Sequence, residues 1–124
     1  MNKKLLTFSV ATLTLLGISS ASAHTVLISS NPSKGAIVKS LPAKITLKFA
    51  DPLLTLGKKV INRVTVIDPS NATITSGDDL TRGAVLTDSF KSVAPKAGVY
   101  KVSYRVSAQD GHIVTGAFTF TLQN

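Results

Sequence analysis

The sequence predicts an all-β protein, and more specifically a sandwich of two β-sheets that contains no disulfide bond. Three observations support this. From about residue 25 onward, apolar and polar residues alternate with a period of two, turn-forming residues recur at short intervals, and no stretch shows the 3.6-residue period of a helix. The 124-residue chain has no cysteine, so burial of apolar side chains must hold the fold together without covalent cross-links.

The first 23 residues have the pattern of a secretory signal peptide rather than of a folded element. Two lysines open the chain, an apolar run from Leu5 to Ile18 follows, and small residues lead up to Ala23. An uncleaved membrane anchor is the alternative, but the run is shorter than the roughly 20 apolar residues that a span needs. We therefore predict a signal peptide at 1–23 and one mature domain at 24–124 that begins with His24. The expected product is a soluble periplasmic or secreted protein.

The first half of the mature chain is expected to form three strands. Residues 25–29 predict the first, and the turn-forming residues 31–35 end it. Residues 36–39 predict a short second strand. Residues 45–49 alternate between apolar and polar, as in a strand with one face in water, and Asp51 and Pro52 then break the pattern. Residues 53–59 are expected to be loop.

The second half is expected to supply the remaining strands. Residues 60–67 predict a strand that ends in a turn at 68–71, after which 72–75 would return as its partner. Residues 76–83 contain two glycines and two aspartates and are expected to be loop, and 84–90 predict a weaker strand. Two long alternating stretches, 99–106 and 112–122, are joined by a short polar segment and predict a hairpin.

Composition restricts the class of function. The net charge of the full chain is +8, and the mature form would carry +6. Nucleic-acid binding is one interpretation, but export and the scattered lysines favour a basic surface that aids solubility and attracts anionic surfaces weakly. No G-x-S-x-G motif, pair of catalytic carboxylates or phosphate-binding glycine loop occurs. An ordinary hydrolytic enzyme is therefore not expected.

The two histidines of the chain, His24 and His112, point to metal binding instead. A histidine at a free N-terminus offers its amino nitrogen and its imidazole Nδ1 to one ion, and such nitrogen ligands in a plane suit Cu(II), with zinc as the main competitor. Asp110 and His112 are two residues apart and can add an oxygen and a nitrogen from one side of an extended segment. The alternative for Asp110 and Gly111 is an ordinary hairpin turn followed by an exposed histidine.

These residues carry a resemblance to a known family. The opening H-T-V-L-I-S-S-N-P-S-K-G-A from His24, the segment L-K-F-A-D-P from Leu47, and the ending G-V-Y-K-V-S-Y-R-V…D-G-H…G-A-F-T-F from Gly98 resemble the CopC family of periplasmic copper-resistance proteins. The resemblance covers nearly all of the mature chain. It implies an immunoglobulin-like or cupredoxin-like Greek-key β-sandwich with a Cu(II) site.

The resemblance also implies the ligands. They are the amine and Nδ1 of His24, together with Asp110 and His112. Asp51 lies where many relatives have an acid, and it is expected either as a distant or indirect contributor or as a capping residue before Pro52. The mature chain has no methionine, so the Met-rich Cu(I) site of some relatives is absent. Tyr104 stands where the family usually has tryptophan.

Three functions remain open from the sequence. The first is a non-enzymatic periplasmic Cu(II) carrier or buffer for copper resistance and homeostasis, which would hand copper to an inner-membrane transporter or a cuproenzyme. The second is a histidine-brace copper oxidase or oxygenase, although the mature chain has few aromatic residues to form a polysaccharide-binding face. The third is a metal-free sandwich of the cell envelope. A mature N-terminus other than His24 would favour the third.

Overall fold

The structure is a computed structural model, and it describes residues 25–124. Eight strands form two four-stranded sheets and no helix occurs in this part of the chain, so none is present that could cross a membrane. The strands are β1 (Leu27–Asn31), β2 (Ile37–Val38), β3 (Lys44–Phe49), β4 (Arg63–Ile67), β5 (Leu80–Arg82), β6 (Val85–Ser89), β7 (Gly98–Ser107) and β8 (Ile113–Leu122). The first sheet has the order β1-β3-β6-β5 and the second β2-β8-β7-β4. The predicted Greek-key β-sandwich is confirmed.

The core lies between the two sheets because apolar and polar side chains alternate along the strands. In β3, Ile45, Leu47 and Phe49 are buried, whereas the lysines at both ends of the alternation, Lys44 and Lys48, face solvent. The inner faces of β7 and β8 contribute the largest share of the opposite wall. Full burial of an aliphatic or aromatic side chain stabilises a fold by about 1.5–3 kcal/mol, and this is the main term available to a domain without cross-links.

Both tyrosines of the chain lie on β7 and pack inward. The ring of Tyr100 stacks on Phe120 with centroids 5.1 Å apart. Its hydroxyl donates to the carbonyl of Lys96 at 2.6 Å and accepts from the N–H of the same residue at 3.1 Å. Tyr104 lies four residues further along and meets Phe49 edge-on, with centroids 5.4 Å apart.

The hairpin of β7 and β8 is the longest pairing, and it matches the expectation for 99–106 and 112–122 with small shifts of boundary. The loop expected at 76–83 is partly wrong. Leu80–Arg82 forms the edge strand β5 and pairs with β6. The glycines and aspartates around these three residues are typical of a loop. Hydrogen bonds to β6 nevertheless hold the three residues in an extended conformation.

Residues 72–75 also differ from the expected return strand. Thr73 bridges to Ile67 in the second sheet, and Thr75 bridges to Phe90 at the end of the first sheet. The segment thus crosses from one sheet to the other instead of forming a continuous partner for β4. The predicted strand at 60–67 begins only at Arg63, because residues 53–62 form an irregular segment at one end of the sandwich.

Candidate metal centre

The loop between β7 and β8 holds Asp110 and His112 in a tight turn. The N–H of Gly111 donates to the carbonyl of Ala108 at 2.9 Å, and the N–H of Ala108 donates to the carbonyl of His112 at 2.8 Å. Gly111 has a φ of +87°, in the left-handed region that favours glycine. The two backbone hydrogen bonds therefore close the loop and fix the backbone that carries the side chains of Asp110 and His112.

The side chains of Asp110 and His112 are in direct contact. One carboxylate oxygen, Oδ1, accepts from the backbone N–H of His112 at 3.0 Å, which is an Asx-type turn. The other oxygen, Oδ2, lies 2.6 Å from the imidazole Nδ1. The side chain of His112 is 65% exposed and that of Asp110 is 33% exposed. The pair thus presents an oxygen and a nitrogen side by side at the surface, on one side of the loop as the spacing predicts.

The start of the described chain, at Thr25 and Val26, is hydrogen-bonded to Ala50 and Asp51. The side chain of Thr25 is buried, and its Oγ1 accepts from the N–H of Asp51 at 3.1 Å. The same hydroxyl donates to the carbonyl of Asp51 at 3.4 Å, and the N–H of Ala50 donates to the carbonyl of Val26 at 2.8 Å. The backbone that leads into β1 is therefore held against residues 50 and 51.

The segment after Asp51 connects these two parts of the structure. The carbonyl of Leu53 accepts from Nε2 of Gln109 at 3.1 Å, and the N–H of Leu54 donates to the carbonyl of Ser107 at 3.0 Å. Residues 51 and 53 are at most about 7 Å apart along an extended chain. Thr25 and the loop with Asp110 and His112 therefore lie at the same end of the sandwich, each bonded to this short segment.

Buried Asn62 stabilises this end. Its amide nitrogen donates to the carbonyl of Leu54 at 2.9 Å and to Oγ1 of Thr81 at 3.2 Å. Its amide oxygen accepts from the N–H of Ser107 at 2.8 Å. One side chain thus joins the irregular segment, β5 and the end of β7. The sequence alone did not single out Asn62, Gln109 or Thr25, because each acts on a partner far away in the chain.

The structure places the predicted site residues as follows. Asp110 and His112 are brought together, whereas His24 lies outside the described residues, as does the predicted signal peptide. Asp51 is at the same end of the sandwich, and among residues 25–124 its carboxylate receives no hydrogen bond, so the expected capping role is not seen there. No group of three or more histidine, aspartate, glutamate or cysteine side chains suited to a metal occurs between residues 25 and 124.

The donor chemistry at the loop fits copper in part. An imidazole nitrogen and a carboxylate oxygen are suitable ligands for Cu(II), and also for zinc. The chain has no cysteine, and its single methionine is Met1, so residues 25–124 offer no sulfur ligand of the kind that selects Cu(I). Two side-chain donors would need further ligands to complete a stable site.

Comparison with known proteins gives consistent matches. Residues 27–123 match the CopC domain. Copper resistance protein C of Pseudomonas syringae pv. tomato is 33% identical over 110 residues, which cover 83% of each chain. The crystal structure of CopC from Methylosinus trichosporium OB3b has a TM-score of 0.68 at 25% identity, covering 81% of this chain and 94% of that one. PcoC, a methionine-rich copper resistance protein from Escherichia coli, has a TM-score of 0.64 at 25% identity, covering 81% and 99%.

Proposed function

The chain belongs to the CopC family of copper resistance proteins, and on this premise we propose that its mature form is a periplasmic Cu(II) carrier or buffer. The signal peptide would be residues 1–23, and cleavage after Ala23 would leave His24 as the first residue. The protein would bind one Cu(II) ion and would not act as an enzyme. It would deliver the ion to an inner-membrane transporter or a cuproenzyme.

The proposed ligands are the amine and Nδ1 of His24, a carboxylate oxygen of Asp110 and the imidazole of His112. The contact between Asp110 and His112 is the observation that carries the proposal. Their Oδ2 and Nδ1 atoms are 2.6 Å apart, close to the roughly 2.8 Å that separates adjacent ligand atoms around an ion with bonds of about 2.0 Å. A metal ion can bind both atoms only when neither carries a proton.

The position of Thr25 supports the participation of His24. Thr25 is held at Asp51, at the same end of the sandwich as the loop with Asp110 and His112. Consecutive Cα atoms are about 3.8 Å apart, so a residue directly before Thr25 starts from this end of the molecule. Asp51 is proposed only as a distant ligand or as a carboxylate that adds negative charge near the ion.

The proposed ligand set explains why the protein would carry copper rather than catalyse a reaction. Two nitrogens from His24, one from His112 and an oxygen from Asp110 make four protein ligands, so a substrate has no equatorial position to occupy. Cu(II) also binds such nitrogen and oxygen sites more strongly than other divalent first-row metals. These properties suit the sequestration of copper.

The test is a copper titration of the exported protein. Mass spectrometry should first show that the chain begins at His24, and electron paramagnetic resonance should then show a nitrogen-rich tetragonal Cu(II) signal that saturates at one equivalent. An alanine placed before His24 and the substitution His112→Ala should each weaken binding severely, because each removes a nitrogen ligand. Unchanged affinity in both variants would refute the proposal.

A further pair of variants tests the carboxylate. Asp110→Asn keeps an oxygen that can accept from the N–H of His112 but removes the charge, and it should lower the copper affinity. Asp78→Asn is the matched control, since Asp78 is an exposed aspartate in another loop. Equal affinities for the two variants would show that Asp110 is not a ligand.

A further inference from the structure

A groove of about 460 Å³ adjoins the loop that carries Asp110 and His112. Two of its lining residues, Gly111 and Ile113, flank His112 directly. The irregular segment from Leu54 to Ile61 forms another wall, and the outer face of β4 and β7 completes it. We call this surface the basic groove and define it by Leu54, Leu56, Lys59, Val60, Ile61, Arg63, Arg105, Ser107, Gly111 and Ile113. A molecule bound in it would lie beside the candidate metal centre.

Part of the basic groove is apolar and open to solvent. Leu56 is 52% exposed, Val60 is 42% exposed and Ile113 is 46% exposed. Three large aliphatic side chains that line one concavity form a patch, unlike single exposed residues scattered over a surface, and such patches are typical of interaction sites. Covering them with apolar atoms of another molecule would remove this surface from water.

The rest of the basic groove is positively charged. Arg63 in β4 and Arg105 in β7 are directly paired across the two strands, and both are exposed on the outer face. Like charges at such positions repel each other and destabilise the sheet. Lys59 adds a third cationic side chain to the lining.

Little negative charge within the described chain compensates these cations. Arg63 lies 3.9 Å from Asp79, but the carboxylate of Asp79 is only 2% exposed and already accepts from the N–H of Val64 at 2.8 Å. Arg105 forms no ion pair with any of residues 25–124. An anionic partner bound in the groove would relieve the repulsion between the two arginines.

We infer that the basic groove docks a segment of a partner protein that carries carboxylate side chains next to apolar ones. Carboxylates would pair with Arg63 and Arg105, for which the planar guanidinium groups are well suited. Apolar side chains would cover Leu56, Val60 and Ile113. The inference deepens the proposed function, on which its meaning rests, because a partner held there is next to His112 and can receive the ion.

Two other occupants fit the surface less well. A second copy of the chain would bring another strongly basic surface, since the mature form carries a net charge of +6. An anionic membrane offers a broad surface rather than side chains that enter a concavity. Charge and shape together favour a protein segment with acidic and apolar residues.

The experiment uses metal-free exported protein and two synthetic peptides. The first peptide alternates glutamate with leucine and phenylalanine, and the second has glutamine in place of every glutamate. Titration of isotope-labelled protein, followed by NMR, should show shifts at residues 54–63, 105 and 111–113 with the acidic peptide. The glutamine peptide should bind weakly, and added salt should weaken the binding of the acidic peptide.

Two variants that each remove one positive charge from β7 test the location. Arg105→Gln alters the basic groove, whereas Lys101→Gln is the matched control on the same outer face, four residues away and opposite Ile67. Calorimetry should show that Arg105→Gln raises the dissociation constant of the acidic peptide by about threefold to fivefold, the upper range for the loss of one exposed ion pair. Lys101→Gln should leave this dissociation constant nearly unchanged.

Several results would overturn the inference. An equal loss of affinity for the acidic peptide in the two variants would mean that the peptide is attracted only by the net charge of the protein. Equal binding of the two peptides would mean that the arginines do not recognise carboxylates. Binding of anionic vesicles that depends on Arg105, without binding of the peptide, would assign the surface to a membrane. Concentration-dependent shifts in the groove of protein alone would assign it to a second copy. Because no copper is present, these outcomes are independent of the test of the metal ligands.

Discussion

Replacing Asn62 by alanine would show how strongly the metal-centre end of the sandwich depends on one buried amide. The substitution removes hydrogen bonds to Leu54, Thr81 and Ser107, at 2.9, 3.2 and 2.8 Å. Each bond contributes about 1 kcal/mol net, and a buried group that loses its partner costs about 1–3 kcal/mol. The N–H of Ser107 would be such a group, since Ser107 is 3% exposed.

We expect a loss of about 3 kcal/mol in the free energy of unfolding, allowing for partial relaxation and entry of water. For a domain of this size the loss corresponds to a fall of roughly 15 °C in Tm, since 1 kcal/mol shifts Tm by about 4–8 °C. In urea the midpoint should fall by roughly 2 M, given a typical dependence of about 1–3 kcal/mol per molar.

The assay is unfolding in urea of metal-free protein, followed by circular dichroism. Asn124→Ala at the exposed C-terminus is the matched control and should change the stability little. A loss below about 1 kcal/mol for Asn62→Ala would refute the reasoning, since even one good hydrogen bond contributes that much.

The remaining predictions concern packing and pH. Gly116→Ala should destabilise the fold by about 1–3 kcal/mol in urea, because the added Cβ would collide with the ring of Tyr104; a loss that persists undiminished alongside Tyr104→Ala would contradict this cause. Burial raises the pKa of Asp79 above its ordinary value of 3.8, so the stability it contributes is present below 3.8 and lost as pH rises through the folded pKa. Hydrogen bonds, chiefly from Ser70, lower the pKa of Asp68, so its contribution is present above 3.8 and lost as pH falls through the folded pKa. Asp79→Asn and Asp68→Asn should remove these opposite slopes from the pH dependence of the urea midpoint, and unchanged slopes would contradict the assignments.

The sequence predicted those parts of the fold in which one face of a strand is in the core. Ile45, Leu47 and Phe49 alternate with polar residues, and the strand forms as expected. The edge strand at Leu80–Arg82 was not predicted, because only three residues pair and their composition resembles that of a loop. Asp79 belongs to the stretch expected to be loop, but its carboxylate accepts a hydrogen bond from the N–H of Val64, 15 residues away in the sequence.

The candidate site shows the same division. Asp110 and His112 are near neighbours in sequence, so their spacing alone showed that they can face one side, and the structure places them in contact. Thr25 and Asp51 are 26 residues apart, and Asn62 and Ser107 are 45 apart. Only tertiary structure brings such residues together, so no local pattern indicated them. The participation of His24 stays a prediction.

The positions of the two tyrosines have a consequence for spectroscopy. The chain has no tryptophan, so Tyr100 and Tyr104 dominate its ultraviolet emission. Four residues of strand separate them by about 13 Å, and Tyr104 is the nearer to the loop that carries His112. A paramagnetic ion held at that loop would quench Tyr104 more than Tyr100. The relative quenching of the two tyrosines would therefore report how far a bound metal lies from each of them.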